Sequence, residues 1–177
     1  MGAQIVLITG IMASGKSTVA QAVAERLPMS VHLRGDSFRK MIVNGRIEVD
    51  PEAGEAALDQ LRLRYRLSAA VADLYCQAGF TVVYQDVIVG PMLTEVVELN
   101  RQWPLALIVL CPSPEVVARR EAGRGKVGYR EWTPELLDHE LRANTPHIGL
   151  WLDTSEHSVE QTVNTILARL DEALITT

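Results

Sequence analysis

Apolar and polar positions along the chain fall into short β-favouring runs that alternate with longer stretches of helical period. Residues 4–9 form a near-continuous apolar run, the pattern of a parallel strand buried on both faces. Val19, Ala22, Val23 and Leu27 then share one face of a helix. Residues 31–34 predict a second strand and residues 37–43 a short helix, with turns at 44–46 and 49–51. Leu58, Leu61, Tyr65, Ala69, Ala72 and Cys76, spaced by three and four, predict a long helix over 52–77. Inside it, residues 61–67 read Leu-Arg-Leu-Arg-Tyr-Arg-Leu, a strand-like alternation that the longer helical period outweighs. Ala78 and Gly79 close that helix. Residues 80–84 give a third strand ending at Gln85-Asp86, 91–100 a helix, and 105–110 a fourth strand. Ser113 and Pro114 supply an N-cap and a first helical proline. Residues 123–128 form a glycine-rich basic loop, and Thr133-Pro134-Glu135 opens another helix. A fifth strand spans 148–152, and Ser158 with Gln161 makes a capping box for the last helix. Without repeats or linkers, this alternation predicts one α/β domain over residues 1–177, its parallel sheet joined by helical crossovers.

Between the first strand and the first helix, Gly10-Ile11-Met12-Ala13-Ser14-Gly15-Lys16-Ser17 spells G-x-x-x-x-G-K-S, the Walker A pattern. Its glycines let successive backbone N–H groups wrap an anion, and the helix N-terminus adds partial positive charge there. Lys16 is placed to reach the β- and γ-phosphates, and the Ser17 hydroxyl to ligand Mg²⁺. Gly10, Ala13, Ser14, Gly15, Lys16, Ser17 and Thr18 are the candidate nucleotide cradle.

Composition narrows the classes. A net charge of −5 argues against a broad nucleic-acid surface. No apolar run has the length of a membrane span. The start lacks a basic leader and enters the first strand at once, and Val6 stands where myristoylation requires Ser or Thr. Cys76 and Cys111 have no metal spacing and read as buried free thiols of a cytoplasmic protein. A homo-oligomer is left open.

Ligands of parallel α/β sheets bind at the carboxyl ends of the strands, and three polar clusters fall there. Asp36, in Arg34-Gly35-Asp36-Ser37-Phe38-Arg39, is a candidate general base or metal ligand, or else a helix N-cap. Asp86 is a candidate for orienting Mg²⁺, or else a solvated strand-end carboxylate. Arg119, Arg120 and Arg124, with the glycine loop, form a lid-like segment over about 119–133. Arg120 and Arg124 are four apart, so on a helix they share a face and can neutralise a transferring phosphoryl group. The alternative is a solvated basic helix end. His32, His139, His147 and His157 carry no metal-ligand spacing.

With these motifs in order, the chain resembles the small P-loop kinases related to nucleoside monophosphate kinases, most of all chloramphenicol phosphotransferase-like proteins. The resemblance rests on residues 10–17, Asp36, Asp86 and Leu110-Cys111-Pro112-Ser113 leading into residues 119–130. It implies a three-layer P-loop NTPase fold with a five-stranded parallel sheet in order 2-3-1-4-5. It also implies ATP with Mg²⁺, and transfer of the γ-phosphoryl group to a small-molecule hydroxyl, such as that of an antibiotic like chloramphenicol. On that pattern Asp36 is the base, Lys16, Arg120 and Arg124 handle phosphate, and Ser17 and Asp86 hold the metal. Arg34, Asp36, Phe38 and Arg39 then face the acceptor, with Phe38, Met41, Ile42 and the long helix walling its pocket. The Gly35-Asp36-Ser37-Phe38-Arg39 stretch looks closer to the Gly-Asp-x-x-Arg of adenylylsulfate kinases and related toxin and polynucleotide kinases. Two other functions stay open. One is a kinase of nucleotides or nucleic-acid 5′ ends, with Arg34, Arg39, Arg62, Arg64 and Arg66 on acceptor phosphates. The other is a non-catalytic nucleotide-binding module.

Overall fold

The computed structural model describes residues 4–50, 52, 54–123 and 132–175. Five strands alternate with helices: β1 (Ile5–Gly10), α1 (Lys16–Arg26), β2 (Ser30–Arg34), α2 (Asp36–Lys40), α3 (Glu55–Gln77), β3 (Thr81–Gln85) and α4 (Met92–Leu99). They continue with β4 (Leu105–Leu110), α5 (Pro114–Ala122), α6 (Pro134–His139), β5 (Leu150–Leu152) and α7 (Val159–Ala168). A π-helical turn over Glu140–Asn144 extends α6, and a 3₁₀ turn over Leu170–Ala173 follows α7.

The sheet is parallel throughout, in the order β2-β3-β1-β4-β5, as the resemblance implied. β1 lies at its centre, with Ile5 opposite both Val82 and Leu105. Every residue of β1, β3 and β4 is buried, which is why these segments lack the apolar–polar alternation of one-sided strands. Side-chain alternation divides the core in two. Ile5 and Leu7 pack with Tyr65, Ala72, Leu93 and Leu137 on one face, while Val6 and Ile8 pack with Val19, Val23, Val163 and Ile166 on the other. The result is a three-layer α/β sandwich with all five strands ending at the same rim.

The alternating segment 61–67 is helix. Tyr65 is buried and Leu61 packs on the core, whereas Leu63 and Leu67 stand on the solvent side, so the alternation samples two faces of one helix. The sequence-expected caps form. Ser113 accepts from Val116 N at 3.5 Å, Thr133 from Leu136 N at 3.2 Å, and Ser158 and Gln161 bond reciprocally at 3.1 and 2.8 Å. On α1 the buried set is Val19, Ala20, Val23 and Ala24, a face shifted from the expected one, with Ala22 and Leu27 only partly covered. α2 is shorter than 37–43 and begins one residue earlier, at Asp36. One pairing had no signal in the pattern: the chain returns after α7 to the start of β4, where Ile175 N bonds Leu105 O at 2.8 Å.

Gly149 allows β5 to approach β4. Its φ is +72°, and a Cβ there would lie 2.5 Å from the carbonyl oxygen of Leu107. Gly149→Ala combines a left-handed backbone penalty with that clash, and is expected to cost about 2 kcal/mol or more. Denaturant unfolding with an unchanged m-value measures it, and a midpoint equal to that of the parent would contradict the close packing.

Candidate active site

The rim at the carboxyl ends of β1, β2 and β3 gathers the chemistry. β1 ends at Gly10 (φ +144°), where a Cβ would sit 2.4 Å from Leu110 O, so only glycine lets the loop turn beneath β4. Ala13 (φ +60°) and Gly15 (φ +98°) are also left-handed, which curls the backbone around a concavity. Gly15 is the N-cap of α1, no side chain caps that end, and its first turn holds no acidic residue. The free N–H groups and the helix dipole therefore meet no counter-charge from their own helix, the condition for anion binding. The buried Lys16 ammonium folds back over the loop and donates to Ile11 O at 2.6 Å. Ser14 is buried with an unpartnered hydroxyl, and Thr18 is exposed.

Arg120 closes the loop from the α5 side. Its Nη1 donates to Ser14 O and its Nη2 to Thr154 O, each at 3.2 Å, which ties the phosphate loop to the segment after β5. α5 runs to Ala122, with Gly123 at its C-cap. Arg124 and most of the lid-like segment lie outside the described residues. Trp132, at its far end, donates from Nε1 to Val49 O at 3.1 Å.

The end of β3 presents its last residues to opposite sides. Gln85 is buried with Oε1 3.5 Å from Ser17 Oγ, whereas Asp86 turns toward β2 and α3. Asp86 is 3 % exposed, and its Oδ2 fills the space where Gly35 would carry a Cβ, so Gly35 is as necessary as the acid beside it. Oδ1 accepts from Val87 N at 2.8 Å, while Oδ2 sits 3.0 Å from Arg64 Nε without a hydrogen-bond alignment. Tyr65 OH donates to Val87 O at 3.0 Å, and Thr9 Oγ1 bonds both the carbonyl and the amide of Ile88, pinning this segment to α3 and β1. Burial pushes the Asp86 carboxyl above its ordinary range, with the Arg64 guanidinium pulling the other way.

Asp36 stands in a different field. It is the first residue of α2, Gly35 being the N-cap, so the cap reading does not apply. Burial alone would raise its carboxyl, but the Lys40 ammonium, which pairs with Oδ2, together with Arg34 and Arg64 holds it below the usual range. Its Oδ1 is buried without a partner. Two carboxylates in the field of Arg64 are thus pushed in opposite directions.

Other expected acceptor contacts fare unevenly. Arg39 pairs with Glu48 at 2.5 Å, Phe38 is half-buried and Arg34 is exposed. Met41 lies outside α2 at 69 % exposure, so it does not wall a closed pocket. Arg62 pairs with Glu55, Asp59 and Glu95, and Arg64 lies against Asp86. Gln85 as the neighbour of Ser17, Arg64 as the cation between the acids, and Thr154 under Arg120 were not picked out by sequence. Strand parity was the available signal for the first, since residues 85 and 86 must face opposite sides.

The sequence matches the AAA_33 model, described as an AAA domain, over residues 5–147. The chain belongs to the AAA_33 family. A UPF0200 protein from Aeropyrum pernix is 41% identical over 73 residues, which is 41% of this chain and 38% of that relative. The AAA_33 chain shares its fold with a sugar kinase from Janibacter sp. HTCC2649 (TM-score 0.71, 20% identity, 97% and 96% of the two chains covered). It likewise superposes on an APS kinase from Mycobacterium tuberculosis in complex with AMPPNP and APS (TM-score 0.70, 17% identity, 96% and 98% covered). The architecture of this AAA_33 domain is therefore that of P-loop kinases. No helix among the described residues is long and apolar enough to cross a membrane.

The Arg64–Asp86 pair gives this site a stability signature. Arg64→Met strands a buried carboxylate and should destabilise the fold by about 3–5 kcal/mol, and Arg64→Met with Asp86→Asn should recover most of the loss. Denaturant unfolding of both variants checks this. A double variant as unstable as the single one would contradict the pairing.

Proposed function

We propose that the protein is an ATP- and Mg²⁺-dependent phosphotransferase that moves the γ-phosphoryl group of ATP to a hydroxyl of a small molecule. The observation that carries this reading is the Asp36 carboxylate, its Oδ1 unpartnered, held on the rim with the phosphate loop of β1 and α1. A nucleotide-binding module that only switches has no need of a free carboxylate oxygen there.

The α1 N-terminus and the loop amides would receive the phosphates, with Lys16 leaving Ile11 O for their oxygens. Arg120, held at the edge of the loop, adds positive charge where the transferring group loses its bond to ADP. The oxygens of Ser17 and Gln85 lie together beside the loop and would hold a Mg²⁺ that retains several waters, whereas Asp86, turned to the other side against Arg64, does not join them. Mg²⁺ bound there would offset phosphate charge. Asp36 Oδ1 accepts the hydroxyl hydrogen bond and takes the proton as the P–O bond forms. A carboxylate held below its usual range is a weak base, which suits a loose transition state in which the proton leaves late.

The hydroxyl-bearing classes this reading covers include sugars, adenylylsulfate and antibiotics such as chloramphenicol. Arg62 and Arg64 being committed to carboxylates, no observation favours a polynucleotide acceptor.

ADP release with ATP and Mg²⁺ against a panel of these acceptors tests the reading. Acceptor-dependent turnover should fall about 10²–10⁴-fold in Asp36→Asn with nucleotide binding retained. Unchanged turnover in that variant would remove Asp36 as the base. The pH profile of the parent supplies a separate check. A depressed folded value keeps Asp36 ionised as pH falls, so its acid limb should lie below the ordinary Asp value of about 3.9. A limb assigned to Asp36 above that value would contradict the electrostatic account. Lys16→Ala should weaken nucleotide binding or transfer, and indifference to it would sink the phosphate-loop role.

A further inference from the structure

The solvent pole of α3 is apolar. Leu63, Leu67, Ala70 and Leu74, spaced four, three and four, fall on one line of the helix, opposite the buried Tyr65, Ala69, Ala72 and Cys76. The leucines are 40, 40 and 64 % exposed, and Ala70 is exposed as well. An ordinary surface helix puts charged side chains at this pole. Here the stripe runs for about 16 Å with every member exposed.

The residues beside the stripe say what covers it. Arg66 flanks it on one side and has no ion pair among the described residues. Asp73 lies two turns further along on the same side, and its carboxylate accepts only from neutral donors, Trp103 Nε1 at 3.0 Å and Gln77 Nε2 at 2.8 Å. A second α3 laid antiparallel sets Leu63 against Leu74 of the second copy and Leu67 against its Ala70. The same register brings Arg66 to Asp73 of the second copy, and the two-fold axis repeats that pair. A parallel arrangement brings Arg66 to the other flank of the stripe, where Arg64 and Val71 lie and no acidic residue does. Stripe and charges are thus self-complementary in one orientation only, as an isologous two-fold interface demands.

We propose that the protein forms a two-fold dimer through α3, packed antiparallel on Leu63, Leu67, Ala70 and Leu74 and oriented by Arg66 and Asp73. This proposal is independent of the catalytic reading. A face of this length belongs among small interfaces, so the dimer dissociates on dilution. Arg64 leaves the opposite flank of the same helical turns toward Asp86, so the dimer would brace the helix that carries it.

Sedimentation equilibrium of the whole chain across about a hundredfold range of concentration tests the proposal. The parent should pass from monomer to dimer, and Leu67→Glu or Leu63→Lys should be monomeric throughout, with unaltered circular dichroism. Arg66→Glu and Asp73→Arg should each raise the dissociation constant roughly tenfold or more, and the double variant should return toward the parent value. A monomeric parent, a dimer indifferent to Leu67→Glu, or a double variant without rescue would overturn it.

Discussion

A carboxylate buried at the end of a central strand must have a cation, and the contact of Asp86 with Arg64 organises much of what surrounds it. It fixes the middle of α3 against the sheet edge, with Tyr65 bonding the same segment through Val87 O. It also dictates glycine at position 35, because the carboxylate occupies the space of a side chain there. That close approach sets where β2 ends and α2 begins, and so where Asp36 stands. Removing a charge of this kind from water costs several kcal/mol, which the pair and the Val87 amide offset. Such an expense is seldom incurred for stability alone, since an apolar cluster of equal volume would serve the fold at least as well.

The two acids then differ because their surroundings differ. Asp86 is enclosed, and burial outweighs Arg64 in moving its carboxyl upward. Asp36 is half open to solvent and faces Lys40, Arg34 and Arg64, which move it downward. Environments that push neighbouring acids apart are a mark of functional sites. Across the rim, the phosphate loop brings unmatched positive ends of backbone dipoles, and Arg120 ties its edge to the segment after β5. Anion-attracting backbone and the unpartnered oxygen of Asp36 thus lie at one rim of the sheet.

The architecture was largely legible in the sequence. Near-continuous apolar runs marked β1, β3 and β4, because strands buried on both faces need not alternate. Ser113, Thr133 and Ser158 marked helix starts through hydroxyl chemistry that is local and therefore readable. Residues 10–17 were readable for the same reason: loop and helix start are contiguous in the chain. What escaped depends on contacts between distant segments. Arg64 reads like its neighbours Arg62 and Arg66, and only the packing of α3 on the sheet selects it for Asp86. Thr154 acts through its carbonyl oxygen, which no side-chain pattern encodes. The leucines at 63, 67 and 74 strengthen the helical pattern while standing away from the core, so periodicity alone does not say which face is buried.

Phosphoryl transfer, and not nucleotide switching, is the reaction we propose at this rim. Following an isotope-labelled γ-phosphate by mass spectrometry, with ATP, Mg²⁺ and the hydroxylated acceptors, tests it most directly. Label is expected in a phosphate ester of an acceptor. Label confined to inorganic phosphate, whatever acceptor is supplied, would contradict it.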